Sequence, residues 1–297
     1  MPRPAALRPA LPLAFSLGIA LGITLGFPAA AETPAWPRVV SLNPSLTAIL
    51  LALDAKPALV GIDDYSARAN PEVAALPRVG GLFDPSLEAI VALEPDLVVL
   101  VPSAEQRDLR SRLEALGSEV LALENITLAQ GLASIETLGA RVGRAAQARA
   151  RVDAIRRAFA AAEQSSRGRP PVRAVLVLQR DPLVVVGGGS YLDEMLRVSG
   201  ARNLAAEFRE PYPRLDVEWL IAAAPELILD ASDDPLPPLE HWRRWPSLPA
   251  VASGRVVALE APLVTLPGPY LDRAVEILAR AVAGEGAASA APKEPRP

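Results

Sequence analysis

Two glutamates, Glu88 and Glu218, stand 130 residues apart in segments that nearly repeat one another. The first segment runs Leu87-Glu88-Ala89-Ile90-Val91-Ala92-Leu93-Glu94-Pro95-Asp96-Leu97-Val98-Val99-Leu100. The second runs Val217-Glu218-Trp219-Leu220-Ile221-Ala222-Ala223-Ala224-Pro225-Glu226-Leu227-Ile228-Leu229-Asp230. Each reads as a short helix, a proline stop followed by an acid, and a buried strand. A carboxylate in the first turn of a helix is favoured by the positive end of the dipole by ~0.3–1 kcal/mol. That accounts for either glutamate alone. It does not account for the same acid at matched places in two segments. Two lobes that each carry an acid at a matching place suit docking onto a two-fold partner.

Other reactive residue types are scarce. The chain has no cysteine and one histidine, His241. Disulfides, thiol nucleophiles and thiolate metal sites are thereby removed. Capture of a free transition metal normally gathers several imidazole and carboxylate ligands, so one histidine argues against it. It also removes His-based triads, and a surface or structural role is expected for His241. Trp242 and Trp245 are three apart, on one helical face if the segment is helical, and are expected to pack in a core. Gly187-Gly188-Gly189-Ser190 looks like a phosphate-cradling turn but carries no lysine. The glycines are instead expected to let the turn approach a ligand. No catalytic group, resident metal or cofactor is expected. An α/β enzyme would have to rest on Ser45 or Asp63, which lack a companion base in the pattern.

The elements that would position these residues alternate. Val39–Leu42, Ala58–Ile62, Leu97–Val101 and Val120–Leu123 read as strands. Helices fall at Asn43-Pro44-Ser45 to about Leu53, at Leu87–Leu93 and at Glu105–Leu116. Pro44 is tolerated in a first turn because its missing N–H would be unpaired there. Asp63–Ala75 reads as a polar loop. Thr127 to about Gln164 holds no proline and is rich in strong helix formers, with apolar residues at helical spacing. It is expected to form one rod of ~55 Å, weakened but not broken by Gly131, Gly139 and Gly143. A second region follows, with strands at 172–178, 183–186, 227–230 and 256–259 and helices at 191–198, 217–223 and 269–282. Such alternation predicts α/β lobes with mainly parallel sheets. The organisation is thus an N-terminal lobe at 32–126, one long spine helix at 127–166 and a C-terminal lobe at 167–283. A tail at 284–297, made of small and charged residues, is expected to be disordered.

Length and composition agree with two such lobes. The 297 residues are 51% apolar but only 4% aromatic, so each exposed aromatic is informative. Arg3 and Arg8, the apolar stretch Leu11–Phe27 and Ala29-Ala30-Ala31 form a secretory leader, with cleavage expected after Ala31. Its removal takes two arginines and no acids, moving the formal charge from −4 to −6. Nothing there favours nucleic acid. With no cysteine to carry a lipid, the mature chain is expected to be a freely soluble monomer.

The leader, the two lobes on a spine and the doubled helix–Pro–acid–strand segment point one way. Together with Arg38-Val39-Val40-Ser41-Leu42-Asn43-Pro44-Ser45, they make the chain similar to the periplasmic substrate-binding proteins of ABC importers with a helical backbone. That class carries cobalamin, haem, ferric siderophores and some metal ions. Gly61-Ile62-Asp63-Asp64-Tyr65-Ser66 and Pro211-Tyr212-Pro213 resemble its cobalamin-binding branch. The resemblance implies that Glu88 and Glu218 meet arginine pockets on a permease dimer. It implies a bulky ligand, cobalamin or a related corrinoid, in a cleft between lobes. Asn43, Pro44, Ser45, Tyr65, Leu82 and Phe83 are expected on one wall; Gln179, Gly187, Gly188, Tyr212 and Tyr270 are expected on the other. Tyrosine offers an apolar face and one hydrogen bond, which suits a large planar ligand. Leu82 and Tyr212 stand where the cobalamin binder has tryptophan, so haem and ferric siderophores stay open, as does a sensing domain that delivers no cargo.

Overall fold

Apolar runs buried on both faces build the first sheet. Strands β1 (Val39–Ser41), β2 (Leu59–Ile62), β3 (Leu97–Leu100) and β4 (Glu119–Ala122) lie in the order β2-β1-β3-β4, and every pair is parallel. Such strands need cover above and below. It comes from α1 (Pro44–Ala52), α2 (Asp64–Ala69), α3 (Leu87–Val91) and α4 (Arg107–Ala115). The structure, a computed structural model, describes residues 36–102 and 107–285. The predicted leader, the first residues of the predicted helix at 105–116 and most of the tail lie outside those residues.

Two expectations for this half need correction. Asp63–Ala75 is not a loop: Asp63 caps α2, its carboxylate accepting the Tyr65 and Ser66 amides, and a 3₁₀ turn follows at Pro71–Val73. Nor is the segment after the first lobe one rod. It forms α5 (Leu128–Arg141) and then α6 (Ala145–Ser166), with Gly143 left-handed between them at φ +69°. The two helices pack on each other. Gly139 makes that approach close: a Cβ there would lie 2.3 Å from the Ala148 Cβ. The spine is α6 alone, 22 residues and ~33 Å long.

The second lobe starts with β5 (Val172–Arg180) and β6 (Leu183–Val185), followed by α7 (Tyr191–Val198), β7 (Ala201–Asn203) and β8 (Arg214–Leu215). Helix α8 (Val217–Ala223) leads to β9 (Leu227–Asp230). Then come α9 (Pro238–Trp242), α10 (Pro249–Ala252), β10 (Val256–Ala258), α11 (Ala261–Thr265) and α12 (Leu271–Ala283). The sheet order is β10-β9-β5-β6-β8, with β7 beside the start of β5. Strands β10, β9, β5 and β7 run parallel, while β6 and β8 form an antiparallel flank. Gly284, placed in the tail by the sequence, instead closes α12 in a left-handed cap at φ +82°.

One apolar cluster runs through both lobes. It joins Leu46 and Ile49 of α1, Ile135 of α5, Leu192 and Leu196 of α7 and Leu278 of α12. Helix α6 supplies Ala148, Val152, Ile155, Phe159 and Ala162, a single stripe of alternating four- and three-residue steps.

The break after α5 has a testable consequence. In an uninterrupted exposed helix, Gly139→Ala would stabilise by ~1 kcal/mol. Against Ala148 the added methyl overpacks, and we expect a loss of ~1–3 kcal/mol, read as a lower urea midpoint at unchanged slope.

Candidate functional site

The first group of predicted residues gathers at the carboxyl ends of β1 and β2, the usual place for a site on a parallel sheet. Asn43 caps α1, its Oδ1 accepting the Ser45 amide at 2.9 Å and the Leu46 amide at 3.4 Å. The cap and Pro44 hold the start of α1 in place, and Ser45 is buried. Beneath lies a polar chain: Thr47 Oγ1 donates to Ser41 Oγ at 2.8 Å and lies 2.9 Å from Ser66 Oγ, which donates to Asp63 Oδ2. Asn70 Nδ2 reaches the Pro44 carbonyl at 3.4 Å. These bonds tie the start of α1 to α2, and Tyr65 stands on α2, 47% exposed. Beside it, Asp64, Arg68, Arg78, Gly81 and Asp84 complete a hollow of about 470 Å³. Phe83, on the same loop, is 63% exposed, whereas Leu82 is partly buried against the core.

The second group is split. The Gly187 amide donates to the Pro211 carbonyl at 2.9 Å, and the Gly188 amide to the Phe208 carbonyl at 3.2 Å, which sets both glycines against the loop that carries Tyr212. A Cβ on Gly187 would lie 2.1 Å from the Glu210 carbonyl oxygen, and one on Gly188 would lie 2.2 Å from that of Ala206. Both glycines allow the close approach of loop 206–213. Gln179 lies on the β5–β6 hairpin, its side chain donating to the Asp181 carbonyl at 2.9 Å. Tyr270 precedes α12, with Arg151 and Arg273 guanidiniums 6.0 and 5.5 Å from its ring centre.

Two features that the sequence did not single out connect the groups. Tyr191, buried at the start of α7, donates its amide to the Ile126 carbonyl at 2.8 Å and its hydroxyl to the Val264 carbonyl at 3.4 Å. Further along, a Cβ on Gly268 would lie 3.6 Å from the Ser45 carbonyl oxygen. The segment 264–268 thus bonds Tyr191 in one lobe and passes close to the start of α1 in the other. Burial pushes the Tyr191 hydroxyl well above its usual range, and the neighbouring Tyr212 pushes it further. Burial likewise pushes Tyr212 up to about 12. A larger cavity of about 770 Å³, between the end of α6 and β7, contains none of the predicted residues.

Glu88 and Glu218 are both exposed, each the second residue of its helix. Ser86 caps α3 at the Ala89 amide, and Asp216 caps α8 at the Trp219 amide.

Trp242 is buried, as expected for a core residue, and its ring centre lies 5.6 Å from that of Trp245. Its indole N–H donates to Asp230 Oδ2 at 2.7 Å, and the same oxygen accepts from Arg180 Nε at 3.0 Å. This buried pair braces the turn after β9. Its members lie too far apart in sequence for spacing to reveal it. His241 is buried, with Arg244 Nη2 2.9 Å from Nδ1. Burial, then the Arg244 and Arg180 charges, lower its pKa.

Comparison with known proteins places the chain. Residues 39–263 match the family model described as periplasmic binding protein, and the chain belongs to that family. The vitamin B12-binding protein of Vibrio cholerae O395 is 28% identical over 247 residues, which cover 80% of this chain and 86% of that protein. The crystal structure of the periplasmic vitamin B12 binding protein BtuF of Vibrio cholerae superposes with a TM-score of 0.72 at 24% identity, covering 84% of this chain and 98% of that one. A periplasmic haem-binding protein from Pseudomonas aeruginosa superposes with a TM-score of 0.67 at 28% identity, covering 83% and 92%. The two-lobed α/β architecture is that of these binding proteins, and none of the three is described as an enzyme.

Asp63 gives a pH test. It is fully buried, and desolvation raises its pKa above the ordinary 3.8, against the lowering effect of its bonds from Ser66 and Tyr65. A carboxyl whose folded pKa is raised favours the folded state most at low pH, and loses that contribution as pH rises through the folded value. Asp63→Asn keeps an acceptor for the cap. We expect it to flatten the pH dependence of the urea midpoint above pH 3.8 and to leave the low-pH midpoint nearly unchanged.

Proposed function

We propose that the protein is a periplasmic solute-binding protein that takes a bulky ligand, cobalamin or a related corrinoid, between its lobes and hands it to the permease dimer of an ABC importer. The reading rests on one observation above all: exposed aromatics stand in both lobes, Tyr65 and Phe83 in one and Tyr212 in the other. Broad apolar faces with a few polar edges suit a large ring system. The name of the Vibrio relative supports a corrinoid. Export through a leader cut after Ala31 belongs to the same reading.

A second ligand class is favoured by a different observation. The Arg68 guanidinium lies 4.3 Å from the ring centre of the exposed Tyr65. A tyrosine beside a cation suits haem, whose iron accepts tyrosine as an axial ligand and whose propionates accept from arginine.

Titration calorimetry with cyanocobalamin and with haemin, alongside absorption spectra, decides between them. We expect cyanocobalamin to bind, and Phe83→Ala and Tyr212→Ala each to weaken it about tenfold or more, the range for losing a buried apolar side chain. Haemin binding with a Soret shift that Tyr65→Phe removes, with no heat from cyanocobalamin, would reverse the assignment. Glu88→Lys with Glu218→Lys is expected to abolish uptake of labelled cyanocobalamin while leaving its affinity within about twofold. Unchanged uptake in that double variant would remove the docking role.

A further inference from the structure

The matched segments continue below the two glutamates into a pair of arginine clasps. In the first lobe, Arg38 enters β1. Its amide donates to Asp96 Oδ2 at 2.7 Å, and its guanidinium donates to the Leu93 carbonyl at 2.6 Å and the Glu94 carbonyl at 3.0 Å. In the second lobe, Arg173 enters β5. Its amide donates to Glu226 Oε2 at 3.2 Å, and its guanidinium donates to the Ala223 carbonyl at 2.5 Å. The main chain closes each clasp from the other side: Asp96 and Glu226 amides each donate to the arginine carbonyl at 2.9 Å. Leu93 and Ala223 are 130 residues apart, as are Asp96 and Glu226, and Glu88 and Glu218. The next residues, Glu94 and Ala224, are both left-handed at φ +45°. Two lobes of different sequence thus hold the same turn in the same way.

The physical need is plain. Helices α3 and α8 are five and seven residues long, below the length at which a helix holds itself. Each is fixed by its ends. A serine or aspartate caps the amino end, and the arginine satisfies carbonyls at or just past the carboxyl end, where a cation also complements the dipole. Five residues rise only ~7.5 Å, so a tilt at the clasp moves the glutamate directly.

We propose that Arg38 and Arg173 are positioning residues for permease docking, each setting the angle at which its lobe presents Glu88 or Glu218. This rests on the docking role of those glutamates. The test uses the full mature chain and the host's own permease in proteoliposomes. ATP hydrolysis is followed against the concentration of cyanocobalamin-loaded binding protein, with hydrogen exchange of the free protein measured in parallel. For Arg38→Gln with Arg173→Gln, we expect KM to rise about tenfold with kcat unchanged. Amides at 87–93 and 217–223 should exchange faster, and cyanocobalamin affinity should stay within about twofold. Arg38→Lys with Arg173→Lys keeps a charge and one donor and should raise KM about threefold. If the Gln pair does not fold by circular dichroism, the Lys pair carries the test. An unchanged KM in the folded variants, while Glu88→Lys with Glu218→Lys raises it, overturns the clasp and keeps the docking role. An unchanged KM in the glutamate variants overturns both.

Discussion

The packing of α6 is the contact on which the rest depends. Its buried stripe, Ala148, Val152, Ile155, Phe159 and Ala162, lies within one cluster that reaches Leu46 and Ile49 in the first lobe and Leu192 and Leu278 in the second. A stripe one residue wide per turn covers only one face of a helix. The other face of α6 is exposed or half-exposed along most of its length. Small residues at its two ends, Ala148 and Ala162, allow close neighbours, as the contact with Gly139 shows. The chain therefore turns back after α5, and α6 can pack on α5, α7 and α12 together.

The repeated segment that begins with α3 and again with α8 has two separable contents. Its apolar and proline positions encode a helix, a left-handed turn and a strand, and the acid after the proline anchors the amide of an arginine on the neighbouring strand. None of that needs a glutamate in the first helical turn. Glu88 makes one bond with Ser86 at 3.4 Å. Helix capping uses Ser86 and Asp216 instead. A residue repeated where the fold does not require it is better explained by something outside the fold.

How much was legible follows from where the information sits. The parallel strands were legible because both their faces are buried, so apolar residues run together without a break. Leu97–Leu100 and Leu227–Asp230 are cases in point. The turn at Gly143 was not, since three glycines looked alike in sequence, and only the folded chain distinguishes them, by the left-handed backbone of Gly143 and the contact of Gly139 with Ala148. Helix α2 was obscured by polar composition, although Ile62-Asp63 ahead of it carried a cap signal. At the candidate site, Asn43 and Ser45 were visible through local cap chemistry. Tyr191, the Arg180–Asp230 pair and the packing role of Gly187 were not, because each depends on a partner at least 23 residues away.

Rigidity follows from the same contacts and bears on how a ligand would be held. A hinge protein concentrates its motion in a few residues between bodies that share little core. Here the shared core is continuous, and further ties cross beside it. Tyr191 reaches Ile126 at the end of the first lobe, and Gly268 meets Ser45. Arg151 of α6 bonds the Pro269 carbonyl and pairs with Asp272 at the start of α12, fastening the closing helix to the spine. Large closure would have to shear this cluster and expose part of it, at ~25 cal/mol for each Å² of apolar surface uncovered. Small changes, confined to side chains and to loops such as 81–84 and 206–213, avoid that cost. In the proposed role the cleft is then built before the ligand arrives, with the exposed aromatics already available to it. In the proposed docking role, a permease would meet a surface whose two halves are already in register, which is the condition under which matched glutamates on separate lobes can act as a pair.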